Sequence, residues 1–196
     1  EIRFVDGTIW TLADLLAMSV PFKGTDVNDT LYGTSEGETL EGMGGDDVLS
    51  AGWGDDRVDG GAGNDVLWGH DGDDQLAGGT GNDTLHGHNG NDTYLFDPGD
   101  GVDTITEMSG QSYTDVLKFG VGIAPGDISV ARVGDHLEFR HANGSDKVIV
   151  TNWFIRATSY HQIDRVEFAD GTIWTGDNIG QMLANSPPTG NVALSG

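Results

Sequence analysis

The chain has 196 residues, with 32 acidic side chains against 9 basic ones and a formal net charge of −23. That balance repels nucleic acid and anionic membrane surfaces. The absence of cysteine excludes a disulfide framework and a thiolate metal site, and no apolar run reaches the roughly eighteen residues that a membrane-spanning helix needs.

Residues 1–20 read as the tail of a preceding unit. Phe4-Val-Asp-Gly-Thr-Ile-Trp10 recurs 164 residues later as Phe168-Ala-Asp-Gly-Thr-Ile-Trp174, and each copy precedes a helix-like stretch, Leu12–Met18 and Asn178–Ala184. Thr11, three residues before Asp14, is a helix N-cap candidate. Residues 21–184 then form one complete unit of a tandem array. A chain that opens on Glu1 with no leader in view suggests an excised fragment.

From residue 24 to 95 a nine-residue unit repeats eight times in unbroken register. Its sixth position reads Asp29, Glu38, Asp47, Asp56, Asp65, Asp74, Asp83, Asp92, and its eighth reads Leu31, Leu40, Leu49, Val58, Leu67, Leu76, Leu85, Tyr94. After a two-residue insertion a ninth turn, Pro98–Thr106, restores the register with Asp103 and Ile105 in those places. Residues 24–106 hold 19 acidic side chains, one arginine (Arg57) and 20 of the 32 glycines. Without cations such a block is expected to be disordered, because little apolar burial offsets its backbone entropy.

Each unit is expected to place six turn residues before a three-residue strand. Two units then make an eighteen-residue coil, and units two apart stack at the interstrand spacing of about 4.8 Å. Glycines at positions one, two and four are expected to supply positive φ, so that carbonyls turn inward. Position eight points between the two sheets. A carboxylate every nine residues beside inward carbonyls suits calcium, which takes roughly six to eight oxygens at about 2.3–2.6 Å. Magnesium demands stricter octahedral geometry.

Between 107 and 176 the pattern changes to alternating runs: Val116–Phe119, Ile128–Val133, His136–Arg140 and Lys147–Val150. Turn signals separate them, including Pro125-Gly126, Gly134-Asp135 and a hairpin-type Asn143-Gly144. Residues 107–184 are read as a β-rich domain with its own apolar residues. Residues 185–196, with Ser186-Pro-Pro-Thr-Gly190, are read as a linker to a following domain.

Units such as Gly60-Gly-Ala-Gly-Asn-Asp-Val-Leu-Trp68 spell G-G-x-G-x-D-x-U-x, and over 24–106 the chain resembles the RTX (repeats-in-toxin) calcium-binding proteins. The resemblance implies an all-β fold: a right-handed parallel β-roll of nonapeptide repeats followed by a β-rich C-terminal cap. It also implies calcium between neighbouring coils, about four to six ions here. One row of sites pairs Asp47 with Asp65 and Asp65 with Asp83; the opposite row pairs Asp56 with Asp74 and Asp74 with Asp92. Carbonyls come from positions two and four of one turn, which are Met43, Gly45, Gly52, Gly54, Gly61, Gly63, His70, Gly72, Gly79 and Gly81. Positions one and three of the next turn add Gly60, Ala62, Gly69, Asp71, Gly78, Thr80, Gly87 and Asn89. Asp103, with Asp100, is expected to close a site with Asp83. Asp29 is expected to pair with Asp47, whereas Glu38 is longer by a methylene, and Val27 and Glu36 replace the fourth-position glycine.

Residues 92–184 are similar to the haemolysin-type calcium-binding related domain. The similarity rests on Asp92-Thr-Tyr-Leu-Phe96, Gly99–Ile105, Asn152-Trp-Phe154 and Phe168–Trp174. It implies a cap over the end of the roll.

Other motifs are weaker. Gly33-Thr-Ser-Glu-Gly37 fits the nucleophile-elbow pattern, but it lies inside the repeat register with no helix after it. No zinc-protease or nucleotide-binding motif occurs, so catalysis is not expected. His70 and His88 are expected to stack on adjacent coils as solvent-facing replacements for glycine, a transition-metal or pH-sensing pair being the alternative. Ser50, Trp68 and His86 form a similar ladder at position nine. The expected function is a calcium-dependent folding module of a secreted bacterial protein, exported by type I secretion machinery as a monomeric part of a tandem array. The alternative is an extracellular adhesin or glycan-binding module, with sugar stacking on Trp68 or Trp53.

Overall fold

The computed structural model describes residues 2–3, 9–10, 21–107, 113–155 and 163–185. The helix-like stretch 12–18 and the linker after residue 185 lie outside the described residues. Strands β1 (Ile2–Arg3) and β2 (Ile9–Trp10) pair antiparallel.

From residue 22 the strands alternate between two sheets. One stacks β3 (Phe22–Lys23), β5 (Thr39–Gly44), β7 (Arg57–Ala62), β9 (Gln75–Thr80) and β11 (Thr93–Phe96). The other stacks β4 (Thr30–Tyr32), β6 (Val48–Trp53), β8 (Val66–Asp71), β10 (Thr84–Asn89) and β12 (Val102–Ile105). All these pairs are parallel. Leu49 lies opposite Leu67 and Leu67 opposite Leu85, eighteen residues apart, while Leu85 faces Ile105 across the two-residue insertion. The chain is therefore a parallel β-roll. Its core is the eighth position: Leu40, Leu49, Val58, Leu67 and Leu76 are wholly buried. Val and Thr dominate the seventh position in the sheet of β8, and branched side chains suit that half-buried surface.

Two expectations need correction. The full strands are six residues long, not three, because pairing resumes at positions two and three, as in Gly52 with His70 and Trp53 with Asp71. The turn proper shrinks to positions four to six. Positive φ occurs at positions two and four, as at Gly61 (+101°) and Gly63 (+136°), but not at position one. At Gly60 the first-position glycine is needed for space, since a Cβ would strike Asp65 Oδ2 and the Gly78 carbonyl, although Ala51 carries a methyl at the same position.

The C-terminal strands continue both sheets across residue 106 without a break. β13 (Val116–Phe119) and β17 (Arg165–Phe168) extend the first sheet in parallel, and β18 (Ile173–Thr175) ends it antiparallel. In the second sheet β16 (Lys147–Val150) lies parallel on β12, followed antiparallel by β15 (His136–His141) and β14 (Ile128–Val133). Asn143-Gly144 does lie in the β15–β16 hairpin turn, with Gly144 at φ +84°. Helix α1 (Gly176–Asn185) buries Ile179. One apolar cluster runs from Leu40 to Ile179 and thickens into aromatics in the cap, where Phe119 stacks on Phe168 at 5.3 Å and Trp174 meets Phe168 edge-on at 4.7 Å.

Candidate metal centres

Each sixth-position residue closes a turn and starts a strand, so the eighteen-residue stacking lines these carboxylates up in two columns. In the first, the amide of Asp29 donates to Asp47 Oδ1 at 2.7 Å, Asp47 to Asp65 at 2.7 Å, Asp65 to Asp83 at 2.7 Å and Asp83 to Asp103 at 3.1 Å. In the second, Glu38 donates to Asp56 at 2.7 Å, Asp56 to Asp74 at 2.9 Å and Asp74 to Asp92 at 2.9 Å. From Asp47 and Asp56 onward, one oxygen of each of these carboxylates is thus used to hold the coils in register.

The other oxygen has no partner. Oδ2 of Asp47, Asp56, Asp65, Asp74, Asp83, Asp92 and Asp103 is buried and makes no hydrogen bond. A buried carboxylate without compensation is costly, and seven in two columns are a donor set waiting for cations. The surrounding backbone fits. A Cβ at Gly63, Gly72 or Gly81 would collide with the carbonyl oxygen of the fourth-position residue one coil back. A Cβ at Gly42, Gly60 or Gly69 would meet both an aspartate Oδ2 and the first-position carbonyl of the next coil, so carbonyl columns run through the turns and beside the carboxylates. Carboxylate and carbonyl oxygens together are the donor set calcium prefers.

The remaining expected residues fall around these columns. Met43, His70 and His88 take positive φ at position two without being glycine, at +83°, +81° and +76°. Asp71 uses its side chain on Asn89 at 2.7 Å, on the outer face. Asp100 is buried and accepts the Asp97 amide at 2.6 Å; its charge acts on both Asp83 and Asp103. Asp29 differs from the later rungs, because Thr25 at position two donates its amide and hydroxyl to Asp29 Oδ2 at 2.6 and 2.7 Å. Thr34 engages Glu38 in the same way. In the first two turns the carboxylate is satisfied from within its own turn.

Sequence reasoning missed three carboxylates. Asp92 donates its amide to Asp115 Oδ1 at 2.9 Å, and Asp115 donates to Asp164 Oδ2 at 3.0 Å, so the second column continues into the cap. The signal was present: Asp115-Val116-Leu117 repeats Asp47-Val48-Leu49 and Asp65-Val66-Leu67. Glu107, buried, brings an oxygen within 4.8 Å of Asp92 and Asp115. A further ladder at position five was also unforeseen. Asn64 donates its amide to Asp46 Oδ1 at 2.8 Å and Asn82 to Asn64 Oδ1 at 3.0 Å, which explains the Asn-Asp pair in the best units.

Burial pushes the column carboxyls up from an ordinary 3.8, to about 6 at Asp65 and Asp56, about 7 at Asp92 and about 8 at Asp74, and raises Asp83 and Asp103 as well. A folded-state pKa raised above the unfolded value stabilises the fold below the unfolded value, and the benefit is lost as pH rises through the folded one. The metal-free roll is therefore expected to gain strand signal on acidification from neutrality toward pH about 4 and to lose it on return. Circular dichroism of the calcium-depleted chain against pH checks this, and a signal flat across that range would count against it. With calcium the sign reverses, because protons compete with the ion for the same carboxylates.

On the outer face the expected histidine stack forms: His70 and His88 lie 5.5 Å apart and nearly parallel. Trp68 is covered by His86 at 3.8 Å, which makes it part of local packing, whereas Trp53 is 62% exposed.

Residues 32–67 and 68–105 match the RTX calcium-binding nonapeptide repeat, and 136–178 match the haemolysin-type calcium binding protein related domain. Among solved structures the chain is similar to the extracellular lipase LipA of Serratia marcescens, at 19% identity and a TM-score of 0.35, covering 76% of this chain and 40% of that one. It is also similar to the AlgE6R3 subunit of the Azotobacter vinelandii mannuronan C5-epimerase, at 23% identity and a TM-score of 0.38, covering 86% of this chain and 93% of that one. The chain thus spans well under half of the lipase it matches. No curated protein matches it.

Proposed function

The chain carries RTX calcium-binding nonapeptide repeats followed by a haemolysin-type calcium-binding related domain, and from that premise we propose that it is a calcium-driven folding module of a secreted bacterial protein. Seven buried, unpartnered Oδ2 atoms in two columns carry this reading. Five ions would occupy the gaps Asp47–Asp65, Asp65–Asp83, Asp83–Asp103, Asp56–Asp74 and Asp74–Asp92, each completed by carbonyls of the adjoining turns. Asp29 sits outside this set because Thr25 already holds its second oxygen.

Calcium supplies charge neutralisation and cross-linking, not chemistry. Where calcium is scarce, the carboxylates repel one another and the chain stays open, the state suited to export through a type I secretion channel. Outside, binding free energy becomes folding free energy. Repeats of this kind are typically structural, and no reaction is assigned to the chain.

The test is a calcium titration of the chelated protein followed by far-ultraviolet circular dichroism, with magnesium as control. The expected outcome is a cooperative gain of strand signal with calcium and little with magnesium. A chain equally strand-rich in chelator at neutral pH, with no calcium response, would overturn the proposal.

A second reading rests on one surface feature. The exposed Trp53 lines an open groove of about 420 Å³ with Tyr32, Ser50, His70 and His88, and such a face could stack on a sugar ring. A glycan array that loses a signal in Trp53→Ala, while the calcium response persists, would favour it.

A further inference from the structure

The second column does not stop where the repeats do. Asp92, Glu107 and Asp115 each offer an oxygen, all within 4.8 Å of one another, and all three residues are buried. Asp92 is wholly buried, and its Oδ2 makes no hydrogen bond. Glu107 stands two residues after Ile105, in the register of a first position. In the coil before, that place is Gly87, where an added Cβ would strike Asp92 Oδ2 and the Tyr94 hydroxyl. The coils ahead place Gly33, Ala51, Gly69 and Gly87 in this column, nothing larger than a methyl, while here a carboxylate is put into it. Tyr94 explains how Glu107 is held. It replaces the usual leucine at position eight, its hydroxyl donates to Glu107 Oε1, and the same hydroxyl accepts the Gly87 amide at 2.8 Å.

We propose that Asp92, Glu107 and Asp115 form a separate site for a hard divalent cation of the calcium class, built from side chains and fastening the last coil of the roll to the cap. It rests on the ladder reading only for the identity of the ion. An interior ladder site such as Asp65–Asp83 has two carboxylates, each divided between two ions, whereas this site has three carboxylates, only Asp92 being shared. Affinity rises with ligand charge count. The junction therefore fills before the interior ladder sites as calcium rises, and β11 and β13, paired from Thr93–Val116 to Phe96–Phe119, are locked before the coils that those sites hold.

Crystals of the wild-type chain grown with terbium, a hard ion that substitutes for calcium, test this by anomalous scattering. A peak among the three carboxylates is expected. Peaks between ladder aspartates with none at the junction would overturn this inference and leave the ladder reading standing; no peaks at either place would overturn both. Glu107→Gln, nearly isosteric, is expected to bind one calcium fewer per chain by calorimetry and to need several-fold more calcium to fold. An unchanged ion count and folding midpoint would overturn the inference. If the variant does not fold, the wild-type map decides.

Discussion

Asp65→Ala is expected to lose two ions at once and, with them, a large share of the calcium-dependent stability. Asp65 borders the gap to Asp47 on one side and the gap to Asp83 on the other, and its Oδ1 accepts the Asp47 amide at 2.7 Å. An ion at a hundred times its dissociation constant stabilises the fold by about 2.7 kcal/mol, so two lost ions cost about 5 kcal/mol. The lost register bond adds about 1 kcal/mol. That sum rivals the whole net stability of an ordinary domain, about 5–15 kcal/mol. Asp46→Asn is the matched control: Asp46 is exposed at position five, and its Oδ1, which asparagine keeps, accepts the Asn64 amide. Its effect should lie within about 0.5 kcal/mol. Calorimetric ion counts and urea midpoints at fixed calcium distinguish the two, and equal behaviour would remove Asp65 from the metal sites.

Gly63→Ala is expected to be nearly as damaging without touching a carboxylate. Gly63 has φ +136°, and a Cβ there would collide with the Gly45 carbonyl oxygen. The dihedral alone costs about 1–3 kcal/mol, and relieving the collision forces apart two carbonyls that belong to the proposed calcium cradle. Gly126→Ala is the contrast, since its added methyl meets nothing within 4 Å and its φ is ordinary. By reducing unfolded-state entropy it should be neutral or stabilising by about 0.4–1 kcal/mol. Thermal melts at saturating calcium read both. Comparable melting temperatures for the two variants would show that the carbonyl columns tolerate widening.

The roll was readable because its register is written eight times: Asp at six and an aliphatic residue at eight define the strand start, the buried face and the eighteen-residue pairing. What escaped is what a linear pattern does not encode. Glycine has little strand preference, so the resumption of pairing at positions two and three was invisible until Gly52 was found opposite His70. At Gly60 and Gly69 the first-position glycine looked like a dihedral requirement and is a steric one, imposed by a carboxylate five residues ahead. Glu107 and Asp115 sit eight residues apart, off the nine-residue count, so no spacing joined them. The alternating runs of the cap announced strands correctly. Alternation alone does not say that those strands extend the two roll sheets.

Because each coil touches only its neighbours and all share one register, the roll is modular along its axis. The cap closes one end with antiparallel strands and a helix, while the other end tapers through β4, three residues long, and β3, two residues long. Length can then change there in whole coils. Removing or duplicating eighteen residues between Asp47 and Asp83 is expected to leave the cap and the sheet assignment of every remaining strand as they were. Stability in such a stack is roughly additive over its units, so each coil gained or lost would carry its own ions and its own share of the folding energy. The calcium threshold of the module is in that sense a number that evolution can set by counting.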